Sequence, residues 1–142
     1  MAVLPITLTI AAAAAFINIW LGMRVGRVRT TAKVLTGDGG HPLLVARMRA
    51  QANYVENAPF FLILLGLVEL AKGQALWLWL VGIAFVIARV LHAFGMDSLE
   101  KPAKTRMIGI ILTWLVLLGL AIYALVIVYA LPGAAATSTV IG

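Results

Sequence analysis

The sequence predicts an all-α protein, a bundle of four transmembrane helices. Of its 142 residues, 63% are hydrophobic and 11% are charged, whereas a soluble domain is about 45–50% apolar and about 25% charged. Four apolar stretches match the roughly 20 residues that a helix needs to cross the hydrocarbon core of a bilayer. They cover approximately residues 3–23, 43–70, 75–96 and 108–131. We therefore predict a single integral membrane domain over residues 1–142.

The first two spans differ in where their polar residues lie. The first span carries no charged side chain, and Asn18 is its one strongly polar residue. It lacks the basic start of a signal peptide and is too long for a signal-peptide core, so we interpret it as a helix of the mature protein. The second span begins after His41 and Pro42, and it is polar in its first half and apolar in its second.

The third and fourth spans are more uniformly apolar. The third contains Arg89 and His92 near its end. Residues 71–74, "AKGQ", predict a tight turn that makes the second and third spans an antiparallel hairpin. The fourth span is uncharged and is followed by Pro132 and Gly133, which predict the end of a helix.

The basic residues predict the orientation of the bundle. The first and third connections hold eight of them, and the second connection holds only Lys72. Because positive residues are retained on the cytoplasmic side, the first and third connections should be cytoplasmic, in a bacterial inner membrane. The net charge of +6 could suggest binding to nucleic acid. However, the basic residues are distributed among the membrane segments, which argues against a nucleic-acid partner. The eight residues are Arg24, Arg27, Arg29, Lys33, Arg47, Lys101, Lys104 and Arg106.

The polar half of the second span, "RMRAQANYVENAP" at 47–59, is unusual for a membrane helix. At 100° per residue, Arg49, Asn53 and Glu56 fall within about 60° of one another. Arg47 and Gln51 fall on roughly the opposite side. A helix that is polar on two faces belongs inside an assembly or beside a water-filled cleft.

The charges near the cytoplasmic end of the second and third spans do not balance. In the simplest interpretation, Glu56 neutralises Arg49 or Arg89, and the amides form hydrogen bonds between helices. Two arginines then share one acid, so a positive charge remains, which indicates an anionic ligand. Arg24, Arg27 and Arg106 are placed to add to this charge. We expect Asp97 and Glu100 to be solvated counter-charges.

Two segments resemble a known family. The spacing Arg-Ala-x-x-Asn-x-x-Glu-x-x-Pro in "RAQANYVENAP" is similar to the second-helix signature of the MAPEG family, membrane-associated proteins in eicosanoid and glutathione metabolism. "ARVLHAFG" at 88–95 resembles the third-helix pattern of that family. The resemblance implies a homotrimer of four-helix subunits with glutathione bound between neighbouring subunits near the cytoplasmic face. A hydrophobic or lipid co-substrate would arrive from the membrane lipids.

The resemblance also implies roles for individual residues. Arg106, at the start of the fourth helix, matches the arginine that activates the thiol. Lys104 is the alternative candidate for that role. His92 and Met96 stand where the leukotriene-synthase branch has tyrosines, which favours a general glutathione transferase or peroxidase. The residues that the resemblance places around glutathione are Arg24 or Arg27, Arg49, Gln51, Asn53, Glu56, Arg89 and His92.

The implied mechanism depends on the charge of Arg106. A free thiol has a pKa of about 8.5, and a nearby guanidinium lowers that pKa by stabilising the thiolate. The thiolate would attack a hydrophobic electrophile or reduce a lipid hydroperoxide. One alternative is a non-catalytic protein that presents a lipid, with Arg106 as an interfacial anchor. A small transporter is disfavoured because Glu69 is the one charged residue in the outer half of any span.

Overall fold

Four long α-helices form the molecule in the computed structural model, which describes residues 3–101 and 103–130. They are α1 (Pro5–Ala32), α2 (Pro42–Lys72), α3 (Leu76–Gly95) and α4 (Lys104–Tyr129). Each is long and apolar enough to cross a membrane. The predicted four-helix fold is therefore confirmed. Leu131 and the predicted stop at Pro132 and Gly133 lie outside the described residues.

The helices pack as two pairs, α1 with α2 and α3 with α4, and the pairs are joined mainly by contacts of α2 with α4 and of α1 with α3. The rings of Phe61 and Phe85 stack at the centre, with centroids 3.9 Å apart and planes 6° from parallel. Ile6, Leu65 and Leu78 are fully buried in the same cluster. Because lipid tails are as apolar as these side chains, close packing stabilises the bundle more than the exclusion of water does.

Two glycines allow α3 and α4 to approach closely. A Cβ atom on Gly109 would lie 2.6 Å from the carbonyl oxygen of Ala88 and 2.7 Å from the backbone nitrogen of His92. A Cβ atom on Gly95 would collide with the backbone of Arg106. The start of α4 is thus fixed against the end of α3, which places Arg106 one helical turn from the contact between Gly109 and His92.

Two helices extend further into the basic connections than predicted. α1 continues to Ala32 instead of ending near residue 23, because Val25 and Val28 pack on Leu44 of α2 and keep the helix folded beyond the apolar span. It ends where Lys33 adopts the left-handed conformation, with φ of 54°. α4 begins at Lys104 and not near residue 108. The arginines assigned to these connections, Arg24, Arg27, Arg29 and Arg106, therefore lie on helices.

Glu69 of α2 caps the N-terminus of α1. Leu4, the residue before α1, offers no side-chain cap. Instead, the buried carboxylate of Glu69 accepts hydrogen bonds from the backbone nitrogens of Ile6 at 3.0 Å and Thr7 at 2.7 Å. It also accepts one from the Thr7 hydroxyl at 2.6 Å. A carboxylate at a helix N-terminus is stabilised by the free N–H groups there, so Glu69 has a structural role.

Candidate functional site

The polar side chains in the first half of α2 point in the directions that the helical pitch predicts. Arg49 and Glu56 are exposed on the face turned away from the other helices. Arg47 faces α1, where its Nη1 donates to the carbonyl oxygen of Arg24 at 3.2 Å. Gln51 also faces α1, and its Nε2 lies 3.5 Å from the position of a Cβ atom on Gly22. Asn53 is half-buried between the two faces.

The exposed face of α2 contains charges that have no partner within residues 3–101 and 103–130. Arg49 and Glu56 form no ion pair within the residues that the structure describes. The pairing of Glu56 with Arg49 or Arg89, expected as the simplest interpretation, is therefore wrong for a single chain. Phe60 continues the same face and is also exposed.

Arg89 lies behind this face and is only 1% exposed. Its Nη2 donates to Asn53 Oδ1 at 2.8 Å, and its Nη1 donates to Thr113 Oγ1 at 3.2 Å. His92 Nδ1 lies 3.5 Å from the same Nη2, and the Tyr54 ring centroid is 5.8 Å from the guanidinium carbon. No carboxylate lies within 4.0 Å of Arg89 in residues 3–101 and 103–130. We call Arg89, Asn53, His92 and Thr113 the Arg89 cluster.

A second cluster, the Asp97 cluster, consists of Arg24, Arg47 and Asp97. Asp97 Oδ2 accepts from Arg24 Nη2 at 2.6 Å and from Arg47 Nη2 at 3.1 Å. Asp97 Oδ1 accepts from Arg47 Nε at 3.2 Å. Arg24 also donates to the carbonyl oxygen of Ala93 at 3.1 Å and lies over the Trp20 ring, 4.8 Å from its centroid. The cluster ties α1, α2 and the connection after α3 together.

The expectation that Asp97 is a counter-charge is confirmed, but the expectation that it is solvated is wrong, because the carboxylate is engaged within the bundle. Its carboxylate binds two arginines, and its side chain is 29% exposed. The physical reason is that a carboxylate near buried guanidiniums relieves the cost of burying them. One sequence signal pointed to this pairing, since Asp97 lies at the end of the bundle that carries most of the basic residues.

The remaining candidates lie apart from these clusters. Arg106 is exposed on the first turn of α4. Arg27 is exposed in a groove between the end of α1 and the start of α2, which His41 and Arg47 also line. The structure thus brings Asn53, Arg89 and His92 into contact. Arg24 instead bonds to Asp97 and to the carbonyl oxygen of Ala93.

An apolar groove of about 460 Å³ lies between α3 and α4, lined by Trp77, Leu115, Gly119 and Tyr123 among others. Tyr123 follows Arg106 by 17 residues along α4, which corresponds to about 25 Å of helix. Leu115, at the near end of the groove, follows Arg106 by nine residues, which corresponds to about 14 Å of helix. The groove is therefore separate from the first turn of α4.

Sequence reasoning missed Thr113. A threonine within an uncharged apolar span gives little signal, because its hydroxyl can bond to the helix that carries it. The Thr113 hydroxyl does donate to the carbonyl oxygen of Gly109 at 2.7 Å, but Thr113 Oγ1 also accepts a hydrogen bond from buried Arg89. That contact depends on how α3 and α4 are placed.

Comparisons with known proteins agree with this arrangement. The model of the MAPEG family matches residues 7–126, which include the polar half of α2 and all of α3. Inner membrane protein YecN of Escherichia coli K12 is 29% identical over 94 residues, covering 66% of this chain and 70% of that protein. The protein of the same name from Escherichia coli strain CFT073 matches to the same extent. The chain is a multi-pass membrane protein, and it belongs to the MAPEG family.

Proposed function

We propose that this protein is a membrane glutathione transferase. It activates the glutathione thiol for attack on hydrophobic electrophiles or for the reduction of lipid hydroperoxides. The observation that carries the proposal is the exposed face of α2, where Arg49 and Glu56 have no partner among the described residues. A face with both charge signs and no internal pairing suits a ligand that itself carries both signs.

The depth of this face indicates a second chain. Glu56 follows Pro42 by 14 residues in a helix of 31 residues, so it lies about 21 Å along an axis of about 46 Å. A charged side chain that faces lipid is costly, by about 2.5–3.5 kcal/mol or more at the bilayer centre and by less towards the interface. We infer that neighbouring subunits cover this face, and we propose a homotrimer, the assembly that the family resemblance implies.

Glutathione matches the groups on this face. Its carboxylates suit the guanidinium of Arg49, because a planar fork of N–H donors binds both carboxylate oxygens. Its ammonium group suits Glu56. Gln51 and Arg27 lie on the α1 side of the molecule, so they reach the same ligand only if it lies between two subunits.

Arg106 is proposed as the catalytic residue. Its guanidinium is exposed at the start of α4, and the contact of Gly95 with its backbone fixes its position. A positive charge beside the glutathione sulfur lowers the pKa of the thiol, and exclusion of water by a co-substrate strengthens the effect. The hydrophobic co-substrate then reaches the thiolate from the surrounding lipid.

The same arrangement implies an orientation. One end of the bundle carries Arg24, Arg27, Arg47 and Arg106, and this end faces the cytoplasm. The first and third connections are therefore cytoplasmic. The relatives named inner membrane protein favour the bacterial inner membrane as the location. The chain has no cysteine of its own, so single cysteines at Lys33 and Gln74 report accessibility without background. They should label from opposite sides of the membrane, and labelling of both from one side would contradict this topology.

Purified protein in detergent provides the test of function. We expect it to conjugate glutathione to a chloronitrobenzene electrophile and to reduce an organic hydroperoxide with glutathione, with a mass of three chains. Arg106→Ala serves as the control for reaction by free glutathione. Saturable glutathione binding without turnover would instead favour the non-catalytic, lipid-presenting alternative, and absence of glutathione binding would reject the transferase.

A further inference from the structure

The contacts of Arg89 differ from those expected of a residue that holds a ligand. Its side chain is 1% exposed, and its guanidinium is covered by α2, α3 and α4. The partners it reaches are neutral oxygen or nitrogen atoms, and its Nε has no partner among the described residues. A ligand on the exposed face of α2 therefore does not reach Arg89 directly. The route from Arg89 to that face passes through Asn53.

The chemistry of the two side chains fixes the orientation of the Asn53 amide. A guanidinium has N–H donors and no acceptor. The Asn53 atom that lies 2.8 Å from Arg89 Nη2 must therefore be the carbonyl oxygen Oδ1. The amide nitrogen Nδ2 is then turned away from Arg89. It has no hydrogen-bond partner in the part of the chain that the structure describes, and Asn53 lies beside the face of Arg49 and Glu56.

Arg89 is itself held from the other side. Thr113 Oγ1 accepts from Arg89 Nη1 and donates its own proton to the carbonyl oxygen of Gly109. Gly109 is fixed by its close contact with the backbone of α3. A continuous series of hydrogen bonds thus runs from α4 through Arg89 of α3 to Asn53 of α2, and it ends on an unpaired N–H donor.

We propose that Arg89 is a positioning residue that fixes the Asn53 amide, so that Asn53 Nδ2 donates a hydrogen bond to a carbonyl or carboxylate oxygen of the bound ligand. This inference rests on the proposed function, in which that ligand is glutathione. It differs from the role that family resemblance implies for Arg89, which is direct contact with glutathione. It also assigns Asn53 a donor role and excludes an acceptor role.

A double-mutant cycle on glutathione binding tests this proposal in the detergent-solubilised full-length protein. Asn53→Ala removes the donor and should weaken binding about tenfold or more, since a hydrogen bond to a charged group is lost. Arg89→Met should weaken binding by a similar factor, because the amide is then free to rotate. The double variant should bind no more weakly than either single variant. Effects that multiply to about a hundredfold would overturn the positioning role, because they would make the two residues independent.

Conservative variants separate positioning from a merely structural role. Arg89→Lys keeps a cationic donor for Asn53 Oδ1, so binding should stay within about threefold of the wild type. Turnover at saturating glutathione should be preserved in the Asn53 and Arg89 variants while KM rises, because the proposed contact of Arg106 with sulfur is unchanged. An Arg89→Met variant that loses turnover while binding glutathione normally would contradict the proposal.

Asn53→Asp provides a test that does not depend on the folding of Arg89 variants. It offers Arg89 a carboxylate, so the thermal unfolding temperature without glutathione should equal or exceed that of the wild type. It has no N–H donor, so glutathione binding should be as weak as in Asn53→Ala. Normal glutathione binding by a folded Asn53→Asp protein would overturn the inference. Failure of the proposed function has a different signature, since the wild type itself would then bind no glutathione.

Discussion

Arg24 and Arg89 are both buried, 6% and 1% exposed, yet their charges are compensated in different ways. Arg24 is paired with Asp97, which Arg47 shares. Arg89 has no acidic partner among the described residues and is held by Asn53 and Thr113. The Asp97 cluster is closed, since both carboxylate oxygens are used within the protein. The Arg89 cluster ends on an unpaired amide donor at the face of α2. The first cluster thus serves the fold, whereas our proposal for the second is that it serves a ligand.

The energetic consequences of the two arrangements differ. Removing the acid from a buried ion pair leaves charges that are uncompensated, which is strongly destabilising. Replacing a buried cation that lacks an acid removes a desolvation cost together with its hydrogen bonds, so the two effects offset each other. Substitutions in the two clusters should therefore separate loss of stability from loss of binding.

The largest effect on stability is expected for Asp97→Asn. Arg24 and Arg47 then lose their shared carboxylate, at a cost of about 3 kcal/mol in the free energy of unfolding. Denaturant unfolding in detergent, monitored by circular dichroism, measures this cost. Glu100→Gln is the matched control, because Glu100 is an exposed acid of the same connection with no ion pair among the described residues. Equal effects of the two substitutions would contradict the structural role of the Asp97 cluster.

An intermediate effect is expected for Thr113→Val. This nearly isosteric change removes the oxygen that accepts from Arg89 Nη1. It leaves a buried donor unpaired, so the free energy of unfolding should fall by about 1–2 kcal/mol. Thr105→Val is the control on the same helix, since Thr105 is exposed on the first turn of α4. A Thr113→Val protein as stable as the control would show that Arg89 is held without α4.

The smallest effect on stability is expected for Arg89→Met. Methionine fills most of the space and removes a buried charge without an acid, so the free energy of unfolding should change by less than about 1 kcal/mol. Thermal unfolding without ligand measures it, and glutathione binding by the same preparation should be weakened. A loss of stability as large as that of Asp97→Asn would contradict the proposed difference between the two clusters, because both would then be needed for folding.

The sequence was sufficient for the fold because four predominantly apolar stretches of membrane length leave few alternatives. The sequence was less informative about helix ends. α1 continues through Arg24 and Arg27 because packing on α2 keeps it folded. Hydropathy marks where a helix leaves the lipid and carries little information on where the helix stops. The polar faces of α2 were predictable because Arg47, Arg49 and Glu56 lie on one continuous helix with a fixed pitch.

Contacts between helices were harder to predict than faces. Asp97 was assigned to solvent because its pairing requires α1, α2 and the end of α3 to meet. Arg89 was assigned to the ligand by family resemblance, but its depth behind Asn53 follows from the packing of α3 against α4. Each of these outcomes depends on the placement of helices relative to one another, which periodicity along a single helix does not contain.

The binding role of the exposed α2 face can be separated from the chemical role of α4. Arg49→Ala should weaken glutathione binding in titration calorimetry by at least several-fold, because a charged hydrogen bond contributes about 1.5–3 kcal/mol. Arg106→Ala should leave the calorimetric affinity largely intact, since its proposed contact is with the sulfur in its charged form. Lys104→Ala is the matched control on the same turn of α4.

The most direct test of the central claim is the ultraviolet absorbance of glutathione thiolate on the protein at fixed neutral pH. We predict a saturable thiolate signal for the wild type and for Lys104→Ala. Arg106→Ala should bind glutathione without that signal, and Arg49→Ala should need more glutathione to reach it. If Arg106→Ala forms thiolate as readily as the wild type, Arg106 is an interfacial anchor, and the account of this protein as a thiol-activating transferase through Arg106 is contradicted.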